Sequence, residues 1–122
     1  MQLSITAHEG PVTHVACVGD VSQLRFPANI NNPLEDLLGM DCYKRQVLLD
    51  LGQAGFIDSS GVGWLMGCHR RFLAGGGRFI VHSVPPLVAQ VIHLHKLETI
   101  LTIKPDRATA RALIGPAKGA AS

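Results

Sequence analysis

The residues best placed to do chemistry are Asp58-Ser59-Ser60-Gly61-Val62-Gly63, where two adjacent hydroxyls follow a carboxylate and precede two glycines. An apolar run ends shortly before them (Val47, Leu48, Leu49, Leu51) and a stripe of helical spacing begins after them, so they fall at a strand-to-helix junction. Backbone N–H groups at a helix start lack intrahelical partners and the helix dipole favours negative charge there. A serine at that point either caps the helix or carries a phosphate without melting it. This argues for a switch rather than a catalyst.

Competing chemistries fit poorly. A hydrolase nucleophile elbow needs Gly-x-Ser-x-Gly, yet Ile57 stands two before Ser59 and Asp58 two before Ser60. Nothing in the order of the six histidines points at this loop as a general base. His93 and His95, two apart on an expected helix, diverge by roughly 200 degrees and make no ligand pair, so no metal is expected. Gly61-Val62-Gly63 lacks the lysine and glycine pattern of a phosphate-binding loop; close approach of the helix start to a neighbouring strand explains it more simply. No catalytic residue and no cofactor is assigned. Ordinary capping needs only one hydroxyl or carboxylate, and the segment supplies three such groups ahead of glycines that let another protein approach. That surplus favours a recognition loop.

The elements that must position this loop are legible in the flanking pattern. Leu3 to His8 alternates, Glu9-Gly10-Pro11 signals a turn and Thr13 to Val18 is β-branched, which predicts an antiparallel hairpin. Val21 to Asn32 shows no sustained period, although Val21, Leu24 and Phe26 are candidate core residues. Asn32-Pro33 predicts an N-cap with proline at the first helical position, and a short helix to about Met40 with Glu35 and Asp36 in its first turn. Gln46 to Leu51 reads as a central strand buried on both faces. Val62, Leu65, Met66, His69, Phe72 and Leu73 mark one helix face, ended by Gly75-Gly76-Gly77.

Arg78 to His82 follows as a strand, and Pro85-Pro86 opens a helix whose Leu87, Val88, Val91, Ile92 and His95 share a face. Leu101 to Ile103 is an expected edge strand. Pro105-Asp106 starts a last helix with Ala110, Leu113 and Ile114 inward. Alternating elements of this kind give an α/β domain with a mixed sheet. One domain spans residues 1–114, and residues 115–122, rich in small side chains, form a flexible tail.

With 122 residues, 47% hydrophobic and 16% charged, the chain suits one packed core. A net charge of +2 and a pI near 8.6 are too mild to indicate nucleic acid. Lys44-Arg45 and Arg70-Arg71 read as solvated edges. No apolar run approaches the roughly 20 residues that span a bilayer and no signal segment opens the chain, so a cytoplasmic protein without membrane insertion is expected. Three cysteines, none in a Cys-x-x-Cys pair, read as buried free thiols.

The middle of the chain resembles the signature of the STAS family, the domain shared by sulphate transporters and anti-sigma factor antagonists. The resemblance runs through Leu48-Leu49-Asp50-Leu51, Phe56-Ile57-Asp58-Ser59-Ser60-Gly61-Val62-Gly63, and the later Gly76-Gly77, Pro86 and Leu97. It implies a single STAS-like domain, a mixed β-sheet with helices packed mainly on one face, and no enzymatic activity. The size points to the stand-alone antagonist branch. In that branch the serine after the aspartate is phosphorylated by a partner anti-sigma serine kinase, an ATPase of histidine-kinase-like fold, and the antagonist thereby controls release of a sigma factor.

By that resemblance Ser59 is the phosphorylation site and Ser60 a secondary candidate, with Asp20, Asp58, Ser59, Ser60, Gly61 and Val62 as the partner-binding set. A homodimer is compatible with it. Two departures stand out: Gly19-Asp20-Val21-Ser22 lacks the second acidic residue common in antagonists, and Gln23 to Asn32 lacks the usual polar helix pattern. The missing acidic residue at Ser22 favours an alternative, a non-phosphorylated STAS scaffold or ligand-sensing module of a larger signalling or transport assembly.

Overall fold

The computed structural model describes residues 2–22 and 32–114. The expectations for Leu24, Phe26 and the C-terminal tail lie outside the described residues. Strands β1 (Gln2–Glu9) and β2 (Val12–Val18) form the expected antiparallel hairpin, turning at Gly10, whose φ of 61° suits a residue without a Cβ. Helix α1 (Pro33–Leu38) is capped by Asn32, whose side chain accepts from Leu34 N. It stops two residues short of Met40, at Gly39, whose φ is 95°.

Strand β3 (Gln46–Gln53), helix α2 (Ser59–Gly75), strand β4 (Arg78–His82), helix α3 (Pro86–Leu94), strand β5 (Thr102–Lys104) and helix α4 (Arg107–Ile114) complete the order. The strands lie side by side in chain order, with β2, β3, β4 and β5 parallel and β1 antiparallel at the edge. Right-handed crossovers through helices are what parallel neighbours require, and β3, the most apolar run, occupies the middle.

The two sheet faces bury unequal cores. Val15, Cys17, Val47, Leu49, Leu51, Phe79 and Val81 face α1, α2 and α3, which contribute Leu34, Leu65, Phe72, Val88 and Ile92 among others. On the opposite face Val12, Leu48 and Ile80 meet Ala110 of α4, with Ile114 packed at the edge. This is a mixed α/β domain with its helices mainly on one side.

Four helix-face expectations are corrected. Leu73 is 73% exposed, Leu87 65% and Leu113 41%, and His95 is an exposed C-cap rather than a face residue. In α2 Val62, Leu65 and Phe72 of the expected face are buried, and Gly61, Trp64 and Cys68 join them. Trp64 can enter because its indole N–H finds Asn32 Oδ1 at 3.0 Å, so the one polar atom of that large ring is satisfied inside. Cys17, Cys42 and Cys68 are free and buried, as their sequence context suggested. Burial pushes the Cys17 and Cys68 thiols up to about 11 and 12, and raises Cys42 too, which leaves no ready thiolate.

Arg71 is exposed, as its reading as a solvated edge expects, with 57% of its side chain in water, and it adds a contact that the sequence did not show. Its guanidinium donates to Glu35 Oε2 at 2.8 Å, and the Glu35 side chain, 4% exposed, also accepts from the Tyr43 hydroxyl. Burial and then the Glu35 hydrogen bond push the Tyr43 hydroxyl well above its ordinary range. A carboxylate taken out of water needs such partners. The group ties α1, the Cys42–Lys44 turn and α2 together.

Candidate functional site

The loop from β3 to α2 is built on backbone contacts with the exit of β2. Val21 N donates to Phe56 O at 2.8 Å and Asp58 N to Val21 O at 3.2 Å, a short parallel bridge between Val21 and Ile57. Both side chains are buried. Next, Gly61 begins the first turn so close to this bridge that a Cβ there would lie 2.1 Å from Val21 O. Only glycine fits. Gly63 has no such neighbour, so of the two glycines one is explained by close approach.

Asp58 is the N-cap in extended conformation. Its Oδ1 accepts from Gly61 N at 3.0 Å, answering one of the helix's orphan donors, and from the Ser60 hydroxyl at 2.6 Å. Ser59, the first helical residue, is exposed, while Asp58 and Ser60 are half-buried. Among the described residues the Ser59 side chain makes no hydrogen bond, and no imidazole is bonded to it. The two hydroxyls are therefore inequivalent: one is turned inward onto the capping carboxylate, the other is offered to solvent.

Asp20 joins this loop from the chain leaving β2. It is exposed, and its Oδ1 would lie 3.2 Å from a Cβ at Gly55. The fold thus gathers Asp20, Asp58, Ser59 and Ser60 at the end of the sheet where the parallel strands finish. Gly61 and Val62, grouped with them by sequence, are instead buried, because the helix turns them toward Val21 and the core. Phe56, which the residue-level reading left out, sits three positions before Ser59 with half its surface in water, 49% exposed. Its signal was an aromatic residue in a loop rather than in an apolar-periodic segment. No group of three or more His, Cys, Asp or Glu able to hold a metal occurs among the described residues.

The STAS domain family model matches residues 15–110. The chain belongs to the STAS domain family. Solved structures share its fold: a Thermotoga maritima protein assigned as an anti-sigma factor antagonist superposes with a TM-score of 0.70 at 18% identity, covering 94% of each chain. An anti-sigma-factor antagonist (STAS) domain protein from Planctomyces limnophilus gives 0.65 at 20% identity, over 93% of this chain and 98% of that one. The anti-sigma factor antagonist SpoIIAA in its unphosphorylated form gives 0.62 at 15% identity, over 94% of this chain and all of that one. At these identities the likeness is one of architecture, so this STAS domain resembles anti-sigma factor antagonists in build. Among its described residues no helix is long and apolar enough to cross a membrane.

Proposed function

We propose that this STAS domain is an anti-sigma factor antagonist, a cytoplasmic binding protein rather than an enzyme, whose affinity for an anti-sigma serine kinase is switched by phosphorylation of Ser59. The observation that carries the reading is the inequivalence of the two serines. Ser60 is held by Asp58, whereas Ser59 stands exposed at the first position of a seventeen-residue helix. A phosphate there adds about −1.5 to −2 charges beside the helix start, where the dipole tolerates them in the free protein. In a packed complex the same charge, next to Asp58 and Asp20, meets desolvation and repulsion. Asp20, Asp58, Ser59 and Ser60 form the polar part of the partner surface and Phe56 its apolar part.

The test is incubation with candidate anti-sigma kinases and ATP, read by intact mass and by mapping the modified peptide. One phosphate on Ser59, lost in Ser59→Ala and kept in Ser60→Ala, is the expected result. Binding of Ser59→Glu to the cognate kinase should weaken by at least tenfold relative to Ser59→Ala, which corresponds to about 1.4 kcal/mol. Equal affinity of the two variants would refute the switch. Absence of any phosphate with every kinase tried would turn the reading to the scaffold or ligand-sensing alternative, which the serine at position 22 favours.

A further inference from the structure

The sheet face beneath α4 carries two buried imidazoles that the Ser59 switch does not use. His14, Leu48 and Ile80 share one register row, and Ala16, Asp50, His82 and Lys104 the next row on the same face. His14 is 2% exposed and His82 1%. Each ring is satisfied on one side only. His82 Nδ1 lies 2.8 Å from the Ser83 hydroxyl and His14 Nε2 pairs with the Glu9 carboxylate, while His82 Nε2 and His14 Nδ1 are buried with no partner among the described residues.

A neutral ring that carries its proton on the bonded nitrogen tolerates this arrangement, because its bare nitrogen is only a lone pair. Protonation turns that nitrogen into a buried N–H donor without an acceptor and adds a charge to a dry layer. The groups facing His82 are Asp50 from β3, Lys104 from β5, His14 from β2 with Glu9 of β1 behind it, and Asp106, Arg107 and Arg111 from α4. Cations and anions here nearly balance, so Asp50 and Asp106 repay only part of the added charge, and the second N–H meets no acceptor among the described residues. The lid over this face is slight: α4 has eight residues, of which only Ala110 is fully buried, and its cluster comprises Val12, Leu48, Ile80 and Ala110. Elements with so few buried contacts open at lower free energy than the core.

We infer that α4 is a proton-sensitive strap: protonation of His82 lifts Arg107–Ile114 from the sheet and bares the Val12–Leu48–Ile80 strip while the rest of the domain stays folded. The direction follows from the environment of the ring. Burial, the largest cause, lowers the His82 pKa from its ordinary 6.5, with Asp50 opposing and Arg107 and His14 assisting. A folded value below the unfolded one means the docked state binds fewer protons. Docking is therefore at full strength above about pH 6.5 and weakens as pH falls toward the folded value. The α4 N-cap is not the sensor. Asp106 Oδ1 accepts from Thr109 N at 2.7 Å, and that amide holds its carboxyl below the usual range, so it stays ionised through this interval.

Residue-resolved hydrogen exchange on the full chain, corrected for intrinsic rates, tests the strap between about pH 7.5 and pH 5. The expected result is that amides from Ala110 to Ile114 exchange through an easier opening than those of Leu48 and Leu49. Their protection should fall by up to about tenfold per pH unit below about pH 6.5. In His82→Phe that dependence should shrink or vanish. Equal protection of α4 and β3 at every pH, or α4 protection that does not move with pH, overturns the inference. Should the variant not fold, the wild-type imidazole titration decides: a His82 midpoint below 6.5 supports the strap, and one at or above it overturns it.

Discussion

The two faces of the sheet are built from the same strands yet do different work. Leu49 and Leu48 are adjacent in sequence and equally buried, but Leu49 enters a core closed by three helices and Leu48 a cluster of four buried residues under α4. The crowded face holds α2, and with it Ser59, in one place. The sparse face holds the short α4 over two half-satisfied histidines. Stability and adjustability are thus separated by the thickness of one sheet.

Truncations on the two faces give the sharpest measure of that difference. Leu49→Ala should cost about 4 kcal/mol and Leu48→Ala about 2, by denaturant unfolding, because α4 can settle into the space left on its side and the three-helix layer cannot. Equal losses would erase the distinction. Gly61→Ala should cost about 3 kcal/mol in the same measurement, since its Cβ meets a backbone oxygen that can retreat only by breaking the Val21–Ile57 bridge. Asp58→Ala removes one cap and should cost about 1 kcal/mol. Smallest of all, Ser59→Glu should move unfolding free energy by no more than about 0.5 kcal/mol, as an exposed acid at a helix start. A larger destabilisation would mean that the crowded face does not isolate the serine from the core.

Much of this plan was legible in the residues. The hairpin at Gly10, the Asn32-Pro33 helix start, the buried β3 run and the Gly75-Gly76-Gly77 stop all rest on local chemistry, and β4 falls where expected, at Arg78–His82. What stayed hidden depends on partners distant in sequence. Trp64 joins the core stripe only because Asn32 is there to receive its N–H, and Glu35 is buried only because Arg71 and Tyr43 reach it. The site was half readable on the same grounds. That a carboxylate or hydroxyl of Asp58-Ser59-Ser60 caps the helix follows from position and Ser59 was singled out by the family resemblance, whereas Asp58 as the cap, the inward turn of Gly61 and Val62, and the nearness of Asp20 to Gly55 emerge only in the fold.

Backbone stops flank α2 at both ends. Val21 O blocks a side chain at Gly61, and Tyr43 O would lie 2.6 Å from one at Gly75. The helix is therefore held in register by close backbone contacts near both of its ends. Adding or deleting a single residue along it would turn everything upstream by about 100 degrees and carry Ser59 off its present bearing. The accessibility of one hydroxyl is in this sense gauged by a tyrosine carbonyl at the far end of the helix.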